Sequence, residues 1–187
     1  MANDFPADSD ARIIAQASII EAGVKALISR SGFNNGYFHY EILVSEKGAY
    51  AIDANFGRIG GGALIEQFAH SYGTTVSKVA AHVLDVGLFN GRRSSINPFL
   101  KKPVPSLSLM YGIEAEGVVE GVTLPQVLSS LHTFTTKFGT FVPAMGNTDY
   151  CWIGTLAGYP ETVLKEIKEI QVKTKAGIVP AFYYVHK

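Results

Sequence analysis

Two carboxylates and two further polar side chains stand at matched positions in a pair of β-prone segments. His39 and Glu41 lie in the first segment, and Asp53 and Asn55 lie in the second. Side chains alternate along a strand, and directly opposed residues of neighbouring strands have Cβ atoms about 4.5–5.5 Å apart. Two facing carboxylates repel each other unless a cation or a proton lies between them. Oxygen ligands at this spacing suit Mg²⁺, which usually also takes phosphate oxygens and water.

The facing arrangement depends on the loop that joins the two segments. A three-residue loop over 46–48, which ends in a glycine, sets Glu41 opposite Asp53 and His39 opposite Asn55. A two-residue loop would instead put the two carboxylates on opposite faces. They would then be ordinary acidic residues on a solvent-facing strand.

A glycine-rich connection follows the second segment. It runs over 56–62, ends in Gly60-Gly61-Gly62 and precedes a predicted helix. Its backbone could approach a ligand closely and donate N–H groups where the helix begins, or the glycines could only shape a tight strand-to-helix connection. Arg58 in this connection could hold a carboxylate or phosphate bidentately, or could close the loop on its own carbonyl groups.

The surrounding pattern predicts an α+β fold. Apolar residues at helical spacing predict helices over 10–29, 63–72, 74–89 and 160–175. Alternating and β-branched segments predict strands over 37–44, 49–55, 106–111, 117–120, 140–144 and 151–157. We expect a loose arm or a cut end over 1–8 and a linker or exposed loop over 90–98. The β-prone end over 181–185 could add a strand to a sheet edge or to a partner.

Composition limits the class of protein. The 187 residues carry no net charge, and 47% are hydrophobic but only 17% charged, where about 25% is typical. Enough apolar surface exists for a core, so a disordered chain is excluded. The lack of a basic excess argues against a nucleic-acid partner. So little charge predicts that part of the surface is covered by something else.

Cysteine content and the first residues bear on the compartment. The single Cys151 cannot form an internal disulfide, and no CxxC metal spacing occurs. The start of the chain lacks the basic and apolar regions of a signal peptide, and no apolar run approaches the roughly 20 residues of a membrane helix. We therefore expect a cytoplasmic protein with no membrane partner.

The stretch over 37–73 resembles the end of an ATP-grasp domain, in the carboxylate–amine ligase branch. In that family a Glu on one strand and a Glu-x-Asn on the next hold the Mg²⁺ ions that bridge the ATP phosphates, and an arginine and a glycine-rich loop follow. Glu41, Asp53 and Asn55 match these positions, although Asp53 is one methylene shorter than the usual Glu. Arg58 lies three residues after the asparagine, where two is more usual.

The resemblance implies a role for each matching residue, with Mg²⁺ and ATP as cofactors. The implied metal ligands are Glu41, Asp53 and Asn55; Arg58 would stabilise the transferring phosphoryl group; Gly60, Gly61, Gly62 and His39 would contact nucleotide or substrate. A supporting or packing role is the other interpretation of His39.

The resemblance also implies an organisation and a reaction. It places an ATP-grasp C-terminal lobe, an antiparallel sheet with packed helices, over 1–97, and a small β-rich C-terminal subdomain over 98–187. The reaction would activate a carboxylate as an acyl phosphate and join it to an amine. The phosphate-binding lysines and the adenine-binding hinge, which precede the first Glu in the family, have no candidate before Glu41.

We therefore expect the C-terminal portion of a ligase, incomplete alone. A missing N-terminal lobe or a partner subunit would complete it, and the chain could separately form a homo-oligomer. The alternative hypothesis is a non-catalytic binding or interaction module that keeps the lobe's fold without the ATP clamp.

Overall fold

The computed structural model describes residues 2–5, 11–57, 59–90, 97–146 and 151–184. The helices are α1 (Ala11–Ser31), α2 (Leu64–Ser71), α3 (Val76–Phe89) and α4 (Pro160–Glu166), with 3-10 turns at Pro98–Leu100 and Ile167–Glu169. The strands are β1 (Ala2–Phe5), β2 (Phe38–Ser45), β3 (Gly48–Phe56), β4 (Ser106–Tyr111), β5 (Gly117–Thr123), β6 (Leu131–Phe134), β7 (Thr140–Val142), β8 (Gly154–Gly158), β9 (Gln171–Thr174) and β10 (Gly177–Pro180). The expected α+β class is confirmed.

The strands form three antiparallel groups. The first sheet has the order β1-β4-β8-β6, the second has the order β10-β9-β5-β7, and β2 with β3 forms a separate hairpin. Helix α2 packs on β4 and β8, and α1 packs on the hairpin. The glycine-rich connection therefore lies between the hairpin and a helix that rests on the first sheet.

Two apolar clusters hold these elements together. The larger consists of Leu107, Leu109, Tyr111, Ile113, Val119, Val142, Ile153, Leu156, Val163, Ile167, Ile170, Val172 and Ala181. The smaller consists of the buried residues Ile59, Ala69 and Val79, with aromatic residues packed around them. The larger cluster joins both sheets to α4, and the smaller lies beside the glycine-rich connection.

Two predicted elements were wrong. The expected loose arm contains β1, which pairs with β4 in the first sheet. The helix predicted as far as residue 175 ends at Glu166, and β9 begins soon afterwards. Exposed and buried side chains alternate along β9, which is the period of a strand and not of a helix.

Other boundaries shifted by a few residues, and two further strands were missed besides β1 and β9. The strand predicted over 151–157 begins at Gly154, and β6 and β10 were not predicted. The middle of the predicted linker, 91–96, lies outside the described residues. At the chain end, Phe182 forms one isolated bridge with Gly112, and Val185 is again outside the described part. Within the described ranges, no helix is long and apolar enough to cross a membrane.

Candidate functional site

The turn of the β2–β3 hairpin differs from the predicted one. Ser45 pairs with Gly48, so the turn contains two residues and not three. Carried along the whole hairpin, that register would place Glu41 and Asp53 on opposite faces, because a slip of one residue turns every side chain over. The loop prediction was therefore wrong, and this turn alone would have separated the carboxylates.

A β-bulge restores the facing arrangement. Immediately after Glu41 the register shifts by one residue, which leaves Ile52 of β3 without a partner on β2. On the far side of the bulge Glu41 is the partner of Asp53, and His39 is the partner of Asn55. An extra residue in one strand moves the side chains beyond it to the other face. The four polar residues are therefore brought to one face of the hairpin.

Asp53 is held along its own strand. Its Oδ1 accepts the backbone N–H of Ala54 at 2.8 Å, and its Oδ2 accepts a hydrogen bond from the side-chain amide of Asn55. An ionised carboxylate has about four lone-pair sites, so these two bonds orient Asp53 without exhausting its capacity to bind a cation.

His39 links Glu41 to the glycine-rich connection. Its Nδ1 lies 3.5 Å from Glu41 Oε1, close enough for an ion pair when the ring is protonated. A Cβ on Gly60 would lie 3.0 Å from two carbons of this ring and 2.9 Å from Leu64 Cδ1. Gly60 also has φ of +125°, which favours glycine. The close approach of loop and ring therefore requires glycine at position 60.

The rest of the connection leads directly into α2. The N–H of Gly57 donates to the carbonyl of Tyr37 at 2.9 Å, which closes the open end of the hairpin. Gly62 and Ala63 are both left-handed, with φ of +69° and +62°. Ala63 occupies the N-cap position of α2 and makes no side-chain cap. Arg58, the predicted catalytic residue, lies outside the described residues.

Polar contacts anchor α2 to the first sheet, and sequence reasoning missed them. The side-chain amide of Gln67 donates to the carbonyl of Ser106 at 3.3 Å, and the Ser71 hydroxyl donates to the Ser106 hydroxyl at 2.5 Å. At the start of the helix, Thr133 donates to Glu66 at 3.1 Å. The signal was polar residues at 67 and 71, four apart on one helix face. These bonds position the helix that follows the glycine-rich connection.

The metal-binding capacity of the hairpin rests on few ligands. Nowhere in the described ranges do three His, Cys, Asp or Glu side chains converge to hold a metal ion by themselves. Glu41 and Asp53 are directly opposed partners, and the Asn55 amide contacts Asp53. Two carboxylates and an amide oxygen suit a hard cation that takes its remaining ligands from phosphate and water. The donor set therefore fits Mg²⁺ bound together with a phosphate compound.

Burial shifts the pKa values of Tyr37, which precedes the hairpin, and of His70 in α2. Burial, with a smaller contribution from neighbouring Tyr72, raises the pKa of the Tyr37 phenol above its usual value. Burial also lowers the pKa of His70, whose ring packs edge-on against Tyr159 with centroids 4.5 Å apart. Both shifts favour the neutral form of the group.

No family model and no curated protein matches this chain. Several solved structures resemble it. A phosphoribosylglycinamide synthetase from Anaerococcus prevotii has a TM-score of 0.61 and 20% identity, over 93% of this chain and 45% of that one. An L-amino acid ligase from Bacillus licheniformis has a TM-score of 0.60 and 14% identity, over 100% of this chain and 44% of that one.

A third similar structure is the biotin carboxylase domain of the Hydrogenobacter thermophilus 2-oxoglutarate carboxylase, in complex with MgADP, ADP and bicarbonate. Its TM-score is 0.61 at 14% identity, over 96% of this chain and 40% of that one. The present chain thus spans less than half the length of each of the three. Identities this low show a shared fold, so the described chain has the α+β fold of part of these ligase and carboxylase structures.

Proposed function

We propose that this chain carries the metal- and phosphate-binding hairpin of an ATP-grasp ligase, which activates a carboxylate as an acyl phosphate and joins it to an amine. One observation carries the proposal: the bulge at Ile52 makes Glu41 and Asp53 direct partners, despite a turn that would separate them. A bulge costs regular pairing and re-aims side chains. Here it gathers the polar residues next to a glycine-rich connection.

Glu41, Asp53 and Asn55 would hold Mg²⁺, which would neutralise charge on the ATP phosphates during transfer. Glu41 is half exposed, at 48% of its side chain, so a ligand can reach it. Asn55 keeps Asp53 turned along β3, and His39 carries the contact from Glu41 to Gly60. The backbone at Gly60–Gly62 would lie along the substrate, and Arg58 would approach the transferring phosphoryl group.

The proposed reaction has two steps. A carboxylate oxygen of the substrate attacks the γ-phosphorus of ATP, and the bond from that phosphorus to ADP breaks. The amine then attacks the acyl carbon, which releases phosphate and a proton and leaves the amide. In such phosphoryl transfers the protein contributes mainly positioning and charge stabilisation.

We further infer that another segment or subunit supplies the rest of the ATP clamp. In support, the chain spans 45% or less of the length of the three similar structures. Large apolar side chains of the hairpin are also exposed, among them Leu43 at 56%, Tyr50 at 52% and Ile52 at 62%. An exposed apolar patch is typical of an interaction surface.

The same exposure favours the second candidate function, a non-catalytic module that binds a partner chain through this surface. The two candidates differ at the metal site. A ligase needs Glu41 and Asp53 to bind a cation, whereas an interaction module does not.

Manganese binding tests the hairpin directly. Mn²⁺ replaces Mg²⁺ at oxygen sites, and its paramagnetism broadens nearby amide NMR signals even when binding is weak. We expect broadening centred on β2 and β3 that is reduced at least tenfold, at equal Mn²⁺, in Glu41→Gln and Asp53→Asn. Glu46→Gln, on the exposed turn of the same hairpin, is the matched control and should behave like wild type.

Deletion of Ile52 tests whether the pairing of the carboxylates is enough. Because Ile52 is the residue without a partner, its removal leaves a regular hairpin in which Glu41 still faces Asp53 and His39 still faces Asn55, so the broadening should persist. Broadening that persists in Glu41→Gln and in Asp53→Asn would instead favour the interaction module. Micromolar binding of Mg-ATP by this chain alone, measured by isothermal titration calorimetry, would contradict the need for a second segment.

A further inference from the structure

A cavity of about 320 Å³ opens beside the glycine-rich connection. Its lining is almost entirely apolar and comprises Tyr37, Phe38, Ile59, Phe68, Tyr72 and Phe99. Three different parts of the fold contribute: the start of the hairpin, the connection with α2, and the 3-10 turn after the predicted linker. Apolar lining with a few polar atoms is the usual composition of a small-molecule site.

The cavity borders the candidate site. The connection makes the link: Ile59 of the lining precedes Gly60, about 3.8 Å between Cα atoms. Phe38 precedes His39, but consecutive strand side chains point to opposite faces, so Phe38 lines the cavity from the other side of the hairpin. His39 and Gly60 are themselves in close contact. A group held in the cavity could therefore be joined by a short link to an atom beside the glycine-rich backbone.

The walls of the cavity pack against one another before any ligand enters. Phe99 is central: its ring centroid lies 5.0 Å from that of Tyr72, 5.8 Å from that of Phe68 and 6.0 Å from that of Tyr37, each in an edge-on arrangement. Behind them the His82 ring packs on Phe99 with centroids 5.6 Å apart. Preformed walls lower the entropic cost of binding, because few side chains must be ordered.

We propose that this pocket binds a ring-sized apolar group of the carboxylate substrate, such as a phenyl or indole group. This inference rests on the proposed function. An engineered cavity of about 150 Å³ holds benzene, so the volume here accommodates one or two fused rings. The Tyr37 and Tyr72 hydroxyls are the polar side-chain atoms of the lining, which therefore favours an uncharged group. The substrate carboxylate would then point out of the pocket towards the hairpin.

The test is a titration of the full chain with 3-phenylpropanoate, followed by NMR. We expect the ring signals of Phe68 and Tyr72 to shift. Ile59→Phe fills the pocket from the wall and should weaken binding at least tenfold. Ile178→Phe, at a β10 position that is 66% exposed, is the matched control and should bind like wild type. Acetate, which has the carboxylate without the ring, should not shift these signals.

A second variant guards against misfolding, because Ile59 is buried. Phe68→Leu enlarges the pocket and should improve binding of 3-(indol-3-yl)propanoate relative to 3-phenylpropanoate at least threefold. Equal affinity of wild type and folded Ile59→Phe, or no shift at millimolar probe, would overturn the proposal. The two experiments can fail independently. Mn²⁺ broadening tests the proposed function at Glu41 and Asp53, whereas the ring probe tests the pocket.

Discussion

The region over 13–57 and the region after residue 97 achieve order in opposite ways. The structure describes every residue between 13 and 57, and none of those side chains is buried. Beyond residue 97, by contrast, the described ranges contain thirteen buried apolar residues in one cluster. Tyr111, Leu109 and Leu156 in that cluster are completely inaccessible to solvent. The region after residue 97 is held by a core, whereas the region over 13–57 is held by hydrogen bonds within α1 and between β2 and β3, with α1 packed on the hairpin.

This difference bears on how the candidate site is stabilised. A two-stranded hairpin is at best marginally stable by itself in water, yet this one keeps a bulged register that sets Glu41 opposite Asp53. Helix α1, which packs on the hairpin, also exposes large apolar residues, Ile14 at 59% and Ile19 at 58%. The low fraction of charged residues, 17%, supports the proposal that another segment or subunit covers part of this surface.

The largest expected effect comes from truncating one leucine in each region. Leu156→Ala should lower the free energy of unfolding by about 2–5 kcal/mol, because it leaves a cavity in the core. Leu43→Ala, at a 56% exposed position of β2, should cost less than about 1 kcal/mol. Urea unfolding of both variants measures the difference. Equal losses of unfolding free energy in the two variants would contradict the contrast between the regions, because they would mean that Leu43 is packed in solution. If the unfolding midpoint also depended on protein concentration, self-association would be the cause.

The next effect separates two adjacent glycines of the connection. Gly60→Ala should cost about 1–3 kcal/mol, because a left-handed backbone must carry a side chain that meets the His39 ring and Leu64. Gly61→Ala has nothing within 4 Å of its Cβ and should cost less than about 0.5 kcal/mol. Urea unfolding and the NMR signals of His39 measure this. Equal unfolding free energies for Gly60→Ala and Gly61→Ala would show that the backbone at Gly60 does not approach the His39 ring.

The smallest effect concerns pH and the sheet around His132. Its ring is hydrogen-bonded to the Tyr111 hydroxyl at 2.8 Å, and burial lowers its pKa below the usual value near 6.5. The unfolded chain therefore binds a proton at His132 more readily than the folded chain does. The contribution of the neutral His132 to the free energy of unfolding is fully present above about pH 6.5, and it is lost as pH falls through the lower folded-state pKa. His132→Phe should have a flatter unfolding free energy between pH 7 and 5. Parallel curves of unfolding free energy against pH for wild type and variant would refute this. Burial also lowers the pKa of His70, so we expect His70 to account for part of the pH dependence that remains in the variant.

Sequence reasoning succeeded where local patterns and tertiary structure agree. Apolar spacing predicted α1 to within a few residues, and the alternation of serine and leucine predicted β4 at its observed bounds. It failed at β9, where Val172 and Thr174 face the core although the preceding residues continue a helical pattern. It also missed β1, because a short polar segment becomes a strand only when β4 offers an edge for pairing.

The sequence by itself determined which side chains are available for chemistry: two acids, an amide and an imidazole at alternating positions, followed by glycines. Only the tertiary structure decided that they share a face. The turn and the bulge have opposite effects on register, and both depend on pairing across the two strands. The aromatic pocket is likewise a tertiary feature, because Tyr37, Phe68 and Phe99 are distant in the chain and meet only when α2 and the 3-10 turn pack against the hairpin.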